Sequence, residues 1–276
     1  MVRFVESRQN PLIKEALRIK AGKEKGYLLI EGEHAIEMAY ASRFRIIRVF
    51  FSKNYKNSAF LKKLSKGAEI IETSERIISA LSDTEHPQGI VALSRYETSR
   101  LEDLPLEKDP LLVVCDRIQD PGNLGTIIRT ADAAGASGII VLPGTCDPFM
   151  PKVIRSSAGS IFNIFVVFSQ LKPLLRFLKT KEIRLFVTVP SGRKTIYEID
   201  LRGPLAFVFG NEARGVSPEL IGAADELVSI PIVGKAESLN VSVAASVSLY
   251  EAVRQRLGFD KLTMRWFDKL TMRGRT

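Results

Sequence analysis

Between Asn10 and Gly22 the apolar residues Leu12, Ile13, Ala16, Leu17 and Ile19 recur at helical spacing. Asn10 suits the cap of that helix and Pro11 its first turn. Gly22 and Gly26 bracket a polar turn, and Tyr27–Ile30 reads as a short strand running into Glu31-Gly32-Glu33. Helices are then predicted over His34–Ala41, Asn57–Ser65 and Ser74–Leu81, the last capped by Ser74. Strands are predicted over Arg45–Ser52, Glu69–Glu72 and Gly89–Leu93, where β-branched and aromatic residues gather. This alternation predicts a small α/β unit over residues 1–95. Tyr96–Pro110 (YETSRLEDLPLEKDP) is polar, charged and proline-containing, and reads as a linker. A second alternation follows over residues 111–258. Its strands are expected at Leu111–Asp116, Gly138–Leu142, Ile164–Phe168, Arg184–Val189, Leu205–Phe209 and Leu227–Ile230. Its helices are expected at Asn123–Ala134, Pro151–Ser157, Leu171–Lys181, Pro218–Ala223 and Asn240–Leu257. Such a series predicts a mostly parallel sheet covered on both faces.

Composition narrows the function classes. No apolar run approaches the roughly 18 residues that a membrane span needs. The first residues, MVRFVESRQNPLIKEAL, hold no apolar signal region, so a cytoplasmic location is expected. Cys115 and Cys146, the two cysteines, match neither a metal spacing nor a redox pair, and Cys115 reads as a buried small hydrophobe. His34 and His86 lie near no nucleophile motif, which argues against a histidine-based hydrolase or a His-ligated metal; no metal is expected. The net charge of +9 is unevenly spread. Residues 1–100 carry 18 Lys and Arg against 12 Asp and Glu, residues 101–250 carry 15 against 16, and residues 251–276 carry 7 against 3. A neutral middle between basic ends suggests a polyanion-binding front attached to a chemically different core. The plainer alternative is a set of solvated lysine-rich faces. Residues 259–276 form a basic tail in which FDKLTMR occurs twice, at Phe259–Arg265 and Phe267–Arg273, and no function is assigned to it.

Three segments carry candidate chemistry. The first, Asp116–Gly135 (DRIQDPGNLGTIIRTADAAG), leaves a strand end, turns at Pro-Gly and opens a helix near Asn123. Ligands of open parallel sheets bind at the carboxyl ends of strands, so a site belongs here. Gly122 and Gly125 permit close backbone approach, but their spacing is not the dinucleotide fingerprint. Asn123 and Arg129 are six apart and do not share a helical stripe; with Asn123 just ahead of the helix, both would border one cleft. Alternatively Arg129 pairs with Asp132 on an exposed face. The second, Leu205–Gly215 (LAFVFGNEARG), ends a strand in a glycine-hinged loop with Asn211 and Glu212; Glu212 could equally serve as an ordinary cap. The third, Ile230–Ala245 (IPIVGKAESLNVSVAA), runs from a strand end through a loop to a helix started by Ser238 or Asn240. The free N–H groups of that helix start suit an anionic group, and its small residues suit close packing.

Together these segments resemble the three signature motifs of the SpoU family within the SPOUT methyltransferases, over about residues 110–257 and in the family order. PGNLGTIIRTADAAG, FGNEARGVS and IPIVGKAESLNVSVA are each long and specific, and PKVIRSSAGSI at 151–161 resembles the segment between the first two. Residues 1–95 resemble the ribosomal-protein-like RNA-binding domain often fused in front, through Phe4–Lys14, Leu28–Gly32 and His86–Ile90 (HPQGI). The resemblance implies an α/β fold with a trefoil knot, a homodimer with active sites shared across subunits, and S-adenosylmethionine as cofactor. It implies methylation of a ribose 2′-hydroxyl, in 23S ribosomal RNA by analogy with proteins carrying this front domain; transfer RNA is the alternative substrate. By motif match, Gly210, Asn211, Gly215, Ile230 and Leu239 would line the cofactor pocket, with Val189 and Pro190 near the adenine. Asn123, Arg129, Glu212, Ser238 and Asn240 would surround the reacting ribose. A guanidinium stays protonated at neutral pH, so the role expected of Arg129 is to clamp a phosphate and favour negative charge on the attacking oxygen. Two rivals remain: an RNA-binding protein that has lost catalysis, which the intact motif residues disfavour, and a nicotinamide-dependent oxidoreductase, which the absent glycine fingerprint disfavours.

Overall fold

The computed structural model describes residues 3–42 and 44–258; the duplicated tail at 259–276 lies outside the described residues. In the first sheet the elements run β1 (Arg3–Val5), α1 (Pro11–Lys20), β2 (Tyr27–Glu31), α2 (Glu33–Ala41), β3 (Arg45–Ser52), α3 (Ser58–Leu64), β4 (Glu69–Thr73), α4 (Glu75–Leu81) and β5 (Ile90–Arg95). The strand order is β1-β4-β3-β5-β2, with β1, β4 and β3 parallel and β5 antiparallel to both β3 and β2. Asn10 caps α1 by accepting from the Leu12 N–H at 3.0 Å. Ser74 occupies the cap position of α4 as expected, yet its side chain makes no capping bond.

The second sheet is built from β6 (Leu111–Asp116), α5 (Pro121–Ala133), β7 (Gly138–Val141), α6 (Pro151–Ser156), β8 (Val166–Phe168), α7 (Leu171–Thr180), β9 (Arg184–Thr188), β10 (Lys194–Thr195), β11 (Leu205–Gly210), α8 (Pro218–Ala223), β12 (Glu226–Ser229) and α9 (Val241–Arg256). Its order is β10-β12-β9-β11-β6-β7-β8, and every pairing is parallel. Both faces are covered, as continuous apolar strands require. Leu111, Val113 and Cys115 point into the core beneath α5, α6 and α9, while Leu112 and Val114 point into a second core beneath α7 and α8. From β6 the chain first builds outward to β7 and β8, then returns to the other side through β9 and β11. The ends of β6 and β11 therefore flank the point where strand order reverses, the usual crevice for a ligand.

The segment 96–110 does more than connect. A single 3-10 turn at Leu101–Asp103 buries Leu101, and Leu104 behind it, in the second core. The first core runs without a break from one sheet to the other. Phe44 beside the first sheet meets Phe162 edge-on at 4.9 Å, and Tyr96 meets Phe149 at 3.9 Å between ring centres. Among the described residues no helix is long and apolar enough to cross a membrane.

Candidate active site

The first segment turns sharply as it leaves β6. Arg117 adopts a left-handed backbone (φ 58°), a conformation that a residue with a Cβ holds only when its surroundings compel it. Its carbonyl accepts from Asn211 Nδ2 at 2.9 Å, and its Nη2 donates to the Gly215 carbonyl at 3.3 Å. Beside it the buried carboxylate of Asp116 accepts from the Ser217 N–H at 2.7 Å. These bonds tie the loop after β11 to the end of β6. Gly210 is needed in that loop because a Cβ there would strike the backbone of Gly215 and Val216.

Helix α5 begins two residues before the expected Asn123. Asp120 is its cap, accepting from the Asn123 N–H at 2.8 Å, and Pro121 opens it. Asn123 is therefore the third helical residue, and it lies at the centre of a hydrogen-bond chain through all three segments. Asn123 Nδ2 donates to Glu212 Oε1 at 3.0 Å, and Asn240 Nδ2 donates to Asn123 Oδ1 at 3.0 Å. Asn240 Oδ1 in turn accepts from the Ser242 N–H at 2.8 Å and from its hydroxyl at 2.7 Å, capping α9. The polarity of this chain is forced. An ionised carboxylate only accepts, so Asn123 must present its amide nitrogen to Glu212 and its oxygen to Asn240. Asn240 must then present nitrogen to Asn123 and oxygen to the open end of α9.

Glu212 also accepts from the backbone N–H of Asp120 at 3.2 Å and of Gln119 at 3.3 Å. Burial works against its charge, but the bonds from Asn123 and from the backbone outweigh it and hold its carboxyl below the usual range. Cys146 is pushed the other way, up to about 11, by burial first and then by the negative charges of Glu212, Asp120 and Asp147. It is thus a neutral thiol at physiological pH.

A cavity of about 470 Å3 opens at the ends of β9, β11 and β12. Val189, Pro190, Gly210, Asn211, Gly215, Ile230 and Leu239 all line it, as do Glu212, Ser238 and Asn240. Thr188, Val216 and Glu237, which the motifs did not single out, share the same walls. Apolar side chains face polar backbone across this space. Among the described residues, the backbone of 231–239 makes no hydrogen bond, so its donors and acceptors are available to a bound molecule. A flat ring with a charged amino-acid tail, as in S-adenosylmethionine, fits such a mixed lining.

Arg129 is not part of this cluster. It lies six residues beyond Asn123, about 9 Å along α5 and about 240° around it. It is exposed, and no hydrogen bond or ion pair engages its side chain among the described residues. The expected alternative partner, Asp132, instead accepts from Asn163 Nδ2 at 3.2 Å. Thr130, next along, meets Ser246 of α9 oxygen to oxygen at 3.1 Å, which is the close helix contact that the small residues of α9 allow. Gly125 serves the same end on the opposite flank: a Cβ there would collide with Ser156 and lie 2.8 Å from the Val153 carbonyl of α6.

The profile of the SpoU rRNA Methylase family matches residues 110–250, and that of the MRM3-like substrate binding domain matches residues 10–92. The chain belongs to the SpoU rRNA methylase family. Among SpoU relatives, the 23S rRNA (guanosine(2553)-2′-O)-methyltransferase RlmP of Bacillus subtilis is 36% identical, over 89% of this chain and 97% of its own. The 23S rRNA (uridine(2479)-2′-O)-methyltransferase of Streptomyces viridochromogenes is 32% identical, over 84% of each. Among solved structures, the AdoMet-bound rRNA methyltransferase of Sinorhizobium meliloti superposes with a TM-score of 0.84 at 31% identity, covering 93% of this chain and 98% of its own. The SpoU methyltransferase AviRb of Streptomyces viridochromogenes, in complex with AdoMet, also reaches 0.84 at 30% identity, over 90% and 99%. This SpoU methylase therefore shares the fold of these two structures across both its parallel second sheet and its smaller first unit.

Proposed function

We propose that this SpoU methylase transfers a methyl group from S-adenosylmethionine to a ribose 2′-hydroxyl of 23S ribosomal RNA. The observation that carries this reading is the oriented chain Glu212–Asn123–Asn240 on the rim of a cavity that fits the cofactor. When bound, S-adenosylmethionine supplies an electrophilic methyl carbon. The protein supplies geometry: Gly210, Asn211, Gly215, Ile230 and Leu239 would hold the cofactor, Val189 and Pro190 would lie on its adenine side, and the strand-end loops keep their shape through Arg117 and Asp116. Asn123, Asn240, Glu212 and Ser238 hold the ribose so that oxygen faces carbon in line, which accounts for much of such a rate enhancement.

Arg129 completes the site from a second copy of the chain. It points away from its own Asn123 and is free to reach across an interface. A stripe along α9 and its C-cap is suited to that interface: Val243, Tyr250 and Leu257 recur every seven residues and are 47%, 51% and 59% exposed. There the guanidinium clamps the phosphate beside the ribose and favours negative charge on the 2′-oxygen. A homodimer and the trefoil knot of the family belong to this reading. The basic first unit contributes salt-sensitive phosphate contacts.

Tritium transfer from labelled S-adenosylmethionine to unmodified 23S, 16S and transfer RNA, followed by nucleoside digestion, tests the proposal. A 2′-O-methylnucleoside from 23S RNA is expected. Label confined to transfer RNA overturns the substrate, and label on a base overturns the reaction.

A further inference from the structure

A second cavity, of about 360 Å3, lies where the two sheets meet and is separate from the strand-end site. One wall comes from the first sheet, through Leu29, the start of α2 and the loop before β5. The other comes from α6 and from Ala158 and Gly159, just past its C-cap. Both histidines of the chain, His34 and His86, open into it.

We propose that this cleft receives one unpaired nucleobase of the substrate RNA, which docks the strand between the substrate-binding unit and the methylase. The inference rests on the RNA reading above and assigns it a location. Size is the first argument: the space suits a single flat ring system and not a helix or a peptide segment. Lining is the second. Leu29 and Ile154 make a buried apolar floor, while hydrogen-bonding groups ring the opening. Gln88 uses Oε1 to accept from the Glu33 N–H at 3.2 Å, which leaves its Nε2 as a donor to the cavity. Among the described residues neither imidazole is hydrogen-bonded.

Charge is the third argument. The carboxylate of Glu31 stands in the wall, held by the Asp83 N–H at 3.1 Å and by the Thr84 hydroxyl. A phosphate inside would be repelled, whereas a neutral base with donor and acceptor edges would not. The one cation of the lining, Arg155, is exposed, where a backbone phosphate would pass. RNA-binding proteins commonly take up splayed bases in this way.

The cleft is connected to the chemistry. Ala158 holds a left-handed backbone (φ 49°), one of three such non-glycine residues among those described, and strain of this kind gathers at functional walls. Lys20 of the first unit and Arg155 of the second both approach Asp83, at 3.1 and 3.6 Å. Next to Arg155, the Ser156 hydroxyl donates to the Pro121 carbonyl at 3.0 Å, at the opening of the helix that carries Asn123. A base seated here would fix the RNA relative to that helix.

The test uses the full-length protein and the RNA that it methylates. Gln88→Glu keeps the acceptor for the Glu33 N–H but replaces the free donor with charge; a His34→Ala/His86→Ala double variant removes the rim. Each should raise the RNA KM and Kd about tenfold, the usual scale for losing one stacked base. The kcat at saturating RNA and the affinity for S-adenosylmethionine should stay within about twofold of wild type. RNA substituted with 4-thiouridine or 6-thioguanosine should crosslink to peptides spanning 84–90 or 151–161. Unchanged RNA affinity in both variants, or crosslinks confined to other peptides, overturns the cleft while methyl transfer by the wild type stands. Failure of methyl transfer by the wild type would instead overturn the reaction, and the affinity measurements would still judge the cleft.

Discussion

The junction between the two sheets and the loops at the strand ends are made of opposite materials. At the junction, Phe44, Phe149 and Phe162 are buried ring against ring with Tyr96 stacked on them, and α6 is anchored from both sides. At the strand ends, residues 233–240 are exposed, the backbone of 233–239 is unpaired among the described residues, and order comes from a few directed hydrogen bonds. Dispersion and burial make the junction a fixed spacer between the first unit and the methylase. The loops leave polar groups open at the strand ends, and the Glu212–Asn123–Asn240 chain together with the bonds of Arg117 and Asp116 keeps them in register.

Perturbing each region should separate the two kinds of order. The largest effect is expected at the junction: Phe149→Ala should cost about 3–5 kcal/mol of stability, as large-to-small aromatic changes in cores do. Urea denaturation would measure it, and a loss below about 1 kcal/mol would mean that the rings are not a weld. Arg129→Ala should leave stability and cofactor affinity nearly unchanged but lower kcat by about 10²–10³-fold, the scale for losing one preorganised charge-stabilising group. A cofactor Kd that rises as much as kcat falls would place Arg129 in the cofactor pocket instead. Asn123→Asp sets a second carboxylate against Glu212 and removes the donor. It should lower kcat/KM by roughly 5- to 150-fold, equivalent to about 1–3 kcal/mol for an unsatisfied group, with the Tm little changed. A drop in Tm without a drop in rate would make Asn123 a structural tie between segments only.

The smallest effect expected is in the pH dependence of stability. Glu212 is held below the ordinary carboxylate value, so its contribution is full above about pH 4.3, the unfolded value, and is lost as pH falls through the folded one. Glu212→Gln should therefore be less stable than wild type at pH 7, with the gap closing toward pH 3. A gap independent of pH would mean that the carboxylate charge plays no part.

Much of the local architecture was legible in the chain. The strands Arg45–Ser52 and Leu111–Asp116 and the helix Pro218–Ala223 occur with the bounds that their patterns predict, because β-branched runs and a Ser-Pro start are strong local signals. Less was legible where two local signals compete. Asp120-Pro121 and Asn123 both suit a helix start, and only the Glu212 carboxylate, 89 residues on, explains why Asn123 can spend its side chain elsewhere. Strand β1 passed unseen: it is three residues long, Phe4 is 53% exposed, and it exists by pairing with β4. Leu101 and Leu104 looked like part of a polar linker because their burial is supplied by the second sheet and not by their neighbours in sequence.

By itself, then, the sequence determined the two runs of alternating strands and helices and the three motifs that mark a SpoU methylase, because each depends on residues close together along the chain. Tertiary structure decided which motif side chains meet. It joined Glu212, Asn123 and Asn240 in one polarity, left Arg129 facing outward, and closed a histidine-lined cleft between two units that pattern alone had kept apart. Those outcomes depend on strand order and helix contacts between residues far apart in the chain, where no local spacing carries the information.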